Sequence, residues 1–236
     1  MKTTWQRLAI LCRGDAAQIA PWIEERGARW LGICVVAIAL GCGLYGGAVG
    51  LWRAPLQGVF TAIKMPLLIF LTCGGNALLN GLLAQVLGSG LSFRQSSLMI
   101  LMSYTISAVI LAALSPVALF IIANAPPLDS ASRGTGHAIT LLTEVLFIAY
   151  AGVVANRRLL RLLTHLCPAP GLAPRIFWSW LAGNLFLGAQ LSWILRPFIG
   201  TPGLAVQFLR ADPLRGNFYE AVYHAIRQLL ISSHLI

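Results

Sequence analysis

An acid, an imidazole and a hydroxyl share one potential helix face at Glu144, His137 and Thr140, because spacings of seven and four residues return side chains to the same side of an α-helix. Glu144 belongs to AITLLTEVLFIAYAGVVAN, residues 138–156, a run long enough to cross a bilayer. It stands roughly 9 Å into that run at 1.5 Å per residue. An ionised carboxylate is expensive at such a depth. The acid therefore either handles protons or substrate, or is a protonated or amide-paired group that fixes helix register. No base accompanies it inside the run, which favours the structural role.

Amides supply the other polar groups set among apolar residues. Asn76 and Asn80 are four residues apart after Gly74-Gly75, and Asn184 and Gln190 occupy a later apolar run. An amide in hydrocarbon costs several kcal/mol unless paired, so these faces turn inward, either to bond helix to helix or to line a polar path. Gly43, Gly46, Gly47 and Gly50 form two overlapping GxxxG pairs. Missing side chains let another backbone approach closely, within this bundle or on a partner.

Enzyme chemistry finds little support. His137, His165, His224 and His234 are not at ligand spacing, and the chain has no HExxH, GxSxG or P-loop. Cys34, Cys42 and Cys73 fall inside apolar runs while Cys12 and Cys167 stand alone outside them, so neither a disulfide nor a metal site is expected. The expectation is a protein without cofactor that is not an enzyme.

The elements that must position these residues are membrane helices. Of 236 residues 58% are hydrophobic and 10% charged, far below the roughly 25% charged residues of soluble domains. The formal net charge of +10 would suggest nucleic acid in a soluble chain. Here the cations lie between apolar runs and read as topology and lipid signals instead, with no nucleic acid as partner. The apolar stretch after MKTTWQR is too short for a signal core, so the chain is expected to keep its start at Met1.

Uncharged runs and turn residues predict crossings near 30–52, 65–87, 97–124, 138–156 and 176–195, the fourth being the weakest because it carries Glu144. The runs are too long for barrel strands and lack alternation, so the fold class is all-α: a polytopic membrane protein with five transmembrane helices. Residues 1–29, with Trp22, Ile23, Arg26 and Arg29, predict an N-terminal amphipathic surface segment. With five crossings, Lys2, Arg7, Arg13, Arg26, Arg29, Arg94, Arg157, Arg158, Arg161 and Arg175 lie on one side, ten cations against seven. That bias points to an N-terminus in the cytoplasm and a C-terminus outside.

The run LYGGAVGLWRAPLQGVFTAIKMPLLIFLTCGGNALLNGLLAQVLGSGLSFRQ followed by LMSYTISAVILAALSPVALF, about residues 44–120, resembles bacterial members of the Yip1-like five-helix membrane superfamily. The features that carry the resemblance are the Gly-rich first helix, Lys64-Met65-Pro66, Ser92-Phe93-Arg94-Gln95 and Ser115-Pro116. The resemblance implies a five-helix bundle. Eukaryotic members of that superfamily act in membrane trafficking with small GTPases, and it offers no catalytic residue to transfer.

After Arg196 the chain changes character. Pro197, Gly200, Pro202 and Gly203 interrupt helix, and FIGTPGLAVQFL is too short to cross but apolar enough to lie on or dip into the bilayer. Asn217 stands three residues before Glu220, close to a capping box, and predicts a helix from Phe218. Phe218, Val222, Ile226 and Leu229 then form an apolar stripe, so residues 197–236 read as a Gly/Pro linker and a C-terminal amphipathic helix docking on lipid or a partner. The chain as a whole reads as a scaffold, assembly factor or accessory subunit among other membrane proteins, or in self-association. The rival is a transporter or permease subunit with a polar path at Glu144.

Overall fold

The structure, a computed structural model, describes residues 3–24, 28–126, 128–130, 133–167, 169–201, 203–220 and 223. Up to residue 194 seven helices follow one another among the described residues: α1 (Thr4–Arg13), α2 (Ala16–Glu24), α3 (Ala28–Gly50), α4 (Pro55–Val86), α5 (Phe93–Ala123), α6 (Arg133–Leu166) and α7 (Leu172–Ile194). Among the described residues there is no strand.

Among the described residues four helical segments are long and apolar enough to cross a membrane: Trp30–Gly50, Pro55–Val86, Phe93–Ala123 and Gly136–Leu166. The run containing Glu144, the weakest in the sequence, is thus one of the four. α7 is long enough at 23 residues, but Asn184, Gln190 and two serines make it more polar. α4 also begins ten residues before the expected start at 65 and runs straight through Lys64-Met65-Pro66. A charge normally marks a span's end; Lys64 does not, because it is fully buried and has a partner.

α3 packs along both α4 and α5, α6 lies on the other side of α5, and α7 lies on α4. The α3–α4 seam is close because α3 offers glycine there. A Cβ on Gly46 would lie 2.6 Å from the Thr61 carbonyl oxygen, and one on Gly50 2.6 Å from that of Gln57. The same face brings Gly43 and Gly47 to Ala62, so all four GxxxG glycines meet α4 of their own chain.

α5 starts on a full capping box, Ser92 Oγ accepting from Gln95 N–H while Gln95 Oε1 accepts from Ser92 N–H. Thr3 and Gln6 do the same for α1, which ends at Gly14 in the left-handed conformation. α1 and α2 do not simply lie on lipid: Leu11, Ile19, Trp22 and Ile23 are buried against α5 and α6. Arg94 of α5 donates to the Ile23 carbonyl at 2.8 Å and so ties down the end of α2. The side chains of Arg26 and Arg29 lie outside the described residues.

Candidate functional site

Beyond α7 the chain turns back onto the bundle, and the side chains that receive it come from α4. Gln57, Thr61 and Lys64 recur at spacings of four and three, which places them on one helix face, and all three are fully buried. Lys64 Nζ donates to the Pro197 carbonyl at 2.7 Å. Gln57 Nε2 donates to the carbonyls of Pro197 at 3.1 Å and Phe198 at 2.7 Å, and the Thr61 hydroxyl donates to Phe198 as well.

The Lys64 ammonium also sits over the Phe208 ring, 4.9 Å from its centre, and Phe208 in turn meets Phe60 edge-on. Non-helical backbone at the edge of a membrane needs internal hydrogen bonds, and this polar stripe on α4 provides them. Leu195 and Ile199 are buried with it. Residues 197–201 and 203–210 therefore belong to a returning cap rather than a free linker. Arg53, at the end of the α3–α4 turn, closes it by donating to the Leu204 carbonyl at 2.8 Å.

Further along, Trp193 Nε1 donates to the Arg215 carbonyl at 3.0 Å and Tyr219 stacks on Phe186 of α7. The tail is thus fastened to α7 beyond the Gly/Pro segment. Residues 218–220 are helical and Asn217 Oδ1 accepts from Glu220 N–H at 2.9 Å, the expected cap. Phe218 packs against Tyr219, while Val222, Ile226 and Leu229 lie outside the described residues.

The acid site has a different neighbourhood. The Thr140 hydroxyl donates to the Gly136 carbonyl of its own helix, and His137 sits beside the Trp52 ring and the Gly200 backbone. Neither bonds to Glu144, so sharing a helix face does not make them a triad. Instead Glu144 lies within electrostatic reach of Tyr45 on α3, a buried phenol whose hydroxyl has no hydrogen-bond partner. Tyr45 escaped sequence reasoning because it sits inside a Gly-rich run without polar neighbours.

The amides gather elsewhere, between α4 and α7. Asn80 Nδ2 donates to Asn184 Oδ1 at 3.3 Å, and Trp180 Nε1 donates to the Asn80 carbonyl. Asn76 is fully buried with both amide atoms unpartnered, and Gly183 of α7 faces it. Gln190 makes no side-chain hydrogen bond among the described residues. Asn76 lies in the seam between α4 and α7, whereas Glu144 is on α6, which packs mainly against α5. The two polar groups consequently sit in separate interfaces.

Two of the cavities are at the tail end and under the N-terminal helices. The larger, about 430 Å³ and open, is lined by Arg196, Gln207, Arg210, Ala211, Asp212 and Arg215 at the tail end. The other, about 10 Å³, lies under α1 and α2. Neither touches Glu144, Asn76 or Asn80. Among the described residues no group of His, Cys, Asp and Glu could hold a metal ion, and the five cysteines are free. Comparison with known proteins returns no matching family model, curated protein or solved structure.

Proposed function

We propose that this is a non-enzymatic integral membrane protein, a five-helix bundle with α7 as the fifth crossing, serving as a scaffold, assembly factor or accessory subunit of a larger membrane complex. The observation that supports this reading is the use made of the strongest intramembrane polar groups. Lys64, Gln57 and Thr61 hold the chain's own tail, and Asn80 holds α7, so they bind protein to protein rather than facing a conduit. The Yip1-like resemblance of residues 44–120 belongs with this reading, as does a bacterial inner membrane location with a cytoplasmic N-terminus.

A transporter subunit is the second reading, favoured by one feature: Glu144 lies within electrostatic reach of the buried Tyr45 hydroxyl, which has no hydrogen-bond partner. The two readings part in a single experiment. Purified from its own membranes in mild detergent, an accessory subunit runs as a hetero-oligomer of fixed stoichiometry by native mass spectrometry. Proteoliposomes of the pure chain then carry no proton flux above empty vesicles. A monomer whose flux disappears in Glu144→Gln would establish transport instead.

A further inference from the structure

The open cavity at the tail end is walled by three arginines, and they are not equivalent. Arg196 is fixed in place: its Nη1 donates to the carbonyls of Trp193 and Pro213, its Nη2 to those of Asp212 and Arg215, and its plane lies 3.8 Å over the Trp193 ring. These bonds fold the 212–215 turn onto the end of α7 and set the shape of the rim. Arg210 and Arg215 have free guanidinium groups; neither makes a hydrogen bond or ion pair with any described residue.

The cations also repel one another. Burial first, and the Arg210 charge second, push the Arg196 guanidinium below its usual value. Arg210 is within electrostatic reach of buried Lys64 too. One carboxylate, Asp212, lines the same cavity, which leaves a lining of two net positive charges around about 430 Å³. Like charges held together by a folded rim, with two planar donor forks and the Gln207 amide unspent, fit a compact anion with several acceptor oxygens. A carboxylate monoanion can satisfy one fork. A phosphate can satisfy both.

We propose that the cavity lined by Arg196, Gln207, Arg210 and Arg215 is a binding site for a phosphate group, with Arg210 and Arg215 as its ligands and Arg196 as the fixed support that positions them. The phosphate is carried either by a phospholipid headgroup or by a soluble phosphate compound, since the site is open and lies at the C-terminal end of α7. The proposal stands apart from the scaffold reading, because a subunit or a transporter could equally own such a site.

The test uses the full chain in neutral detergent, with inorganic phosphate as the soluble probe and nanodiscs of phosphatidylcholine with or without phosphatidylglycerol as the lipid probe. Arg210→Gln with Arg215→Gln is the variant. Arg133→Gln, an exposed cation outside the cavity, is the control. Isothermal titration is expected to show phosphate binding that weakens at least tenfold in the double variant and is unchanged in the control. Loss of that binding alone assigns a soluble phosphate. Phosphatidylglycerol retained by the wild type through native mass spectrometry, and lost by the double variant, assigns a lipid. Binding of neither probe by the wild type, or equal binding by wild type and double variant, overturns the site. A charge-conserving second variant, Arg210→Lys with Arg215→Lys, keeps the field but removes the forks; unaltered affinity there would also overturn the role given to the guanidinium geometry.

Discussion

Gln57→Leu combined with Thr61→Val removes three hydrogen bonds from the returning cap while keeping side-chain volume close to the original. Gln57 gives two of them, to Pro197 and Phe198, and Thr61 gives the third. At about 1 kcal/mol net for each neutral bond, the cap loses about 3 kcal/mol, and the Phe198 carbonyl keeps no partner. Every 1.4 kcal/mol is a factor of ten, so opening of the cap becomes about a hundredfold more frequent. Hydrogen exchange read by mass spectrometry measures this directly: peptides covering residues 198–208 should speed up by about two decades while those from the middle of α5 keep their protection. Unchanged exchange over 198–208 in a folded double variant would refute the reasoning that α4 holds the cap by these bonds. Equal acceleration in α5 would show that the seam supports the whole bundle.

The other predictions are independent of that seam. Gly46→Ala should cost about 1–3 kcal/mol, because its Cβ would meet the Thr61 backbone oxygen, whereas Gly47→Ala should be nearly neutral; thermal unfolding in detergent separates them, and equal loss would contradict the packing. Glu144→Gln should leave assembly near normal, since nothing described bonds to the carboxylate, and a collapse in yield of the folded protein would point to a charge-dependent contact. Burial raises the Cys12 and Cys167 thiols above the usual thiol value, so the folded state keeps protons that the unfolded chain releases; their stabilising contribution is complete below the usual value and declines as pH rises past it. Iodoacetamide labelling of the native protein at pH 8 should accordingly be slower at these two positions than for a model thiol, and model-like rates would deny the burial. A reporter fused after Ile236 should be active only outside the cytoplasm, and cytoplasmic activity would remove either the fifth crossing or the orientation.

Apolar run length made the long helices legible, because hydrocarbon thickness imposes a minimum that few soluble helices satisfy. Capping was legible too: Ser92 with Gln95 and Asn217 with Glu220 are local patterns whose bonds form within one turn. Lys64 shows where legibility ended. A cation at the edge of an apolar run reads as the end of a span, and only the returning cap, 133 residues later, makes it an interior residue. His137 and Thr140 share a helix side with Glu144 but make their contacts elsewhere, for a related reason. Helix periodicity fixes which side a residue occupies, but which neighbour stands opposite depends on tertiary packing, which periodicity does not report. The unpartnered amide of Asn76 likewise could not be foreseen, since sequence reports that a polar group is present and not whether a partner reaches it.

The long separation between Lys64 and its carbonyl has a consequence in time. A ribosome adding about 5–20 residues per second takes roughly 7–27 s to make the 133 residues between them. α4 is thus delivered to the bilayer well before Pro197 exists. During that interval the ammonium has to snorkel towards water at the membrane end, and Gln57 and Thr61 have no carbonyls to serve. The N-terminal half of α4 settles only when the last part of the chain arrives, so a nascent chain stalled before residue 197 should hold this helix higher in the membrane than the finished protein does.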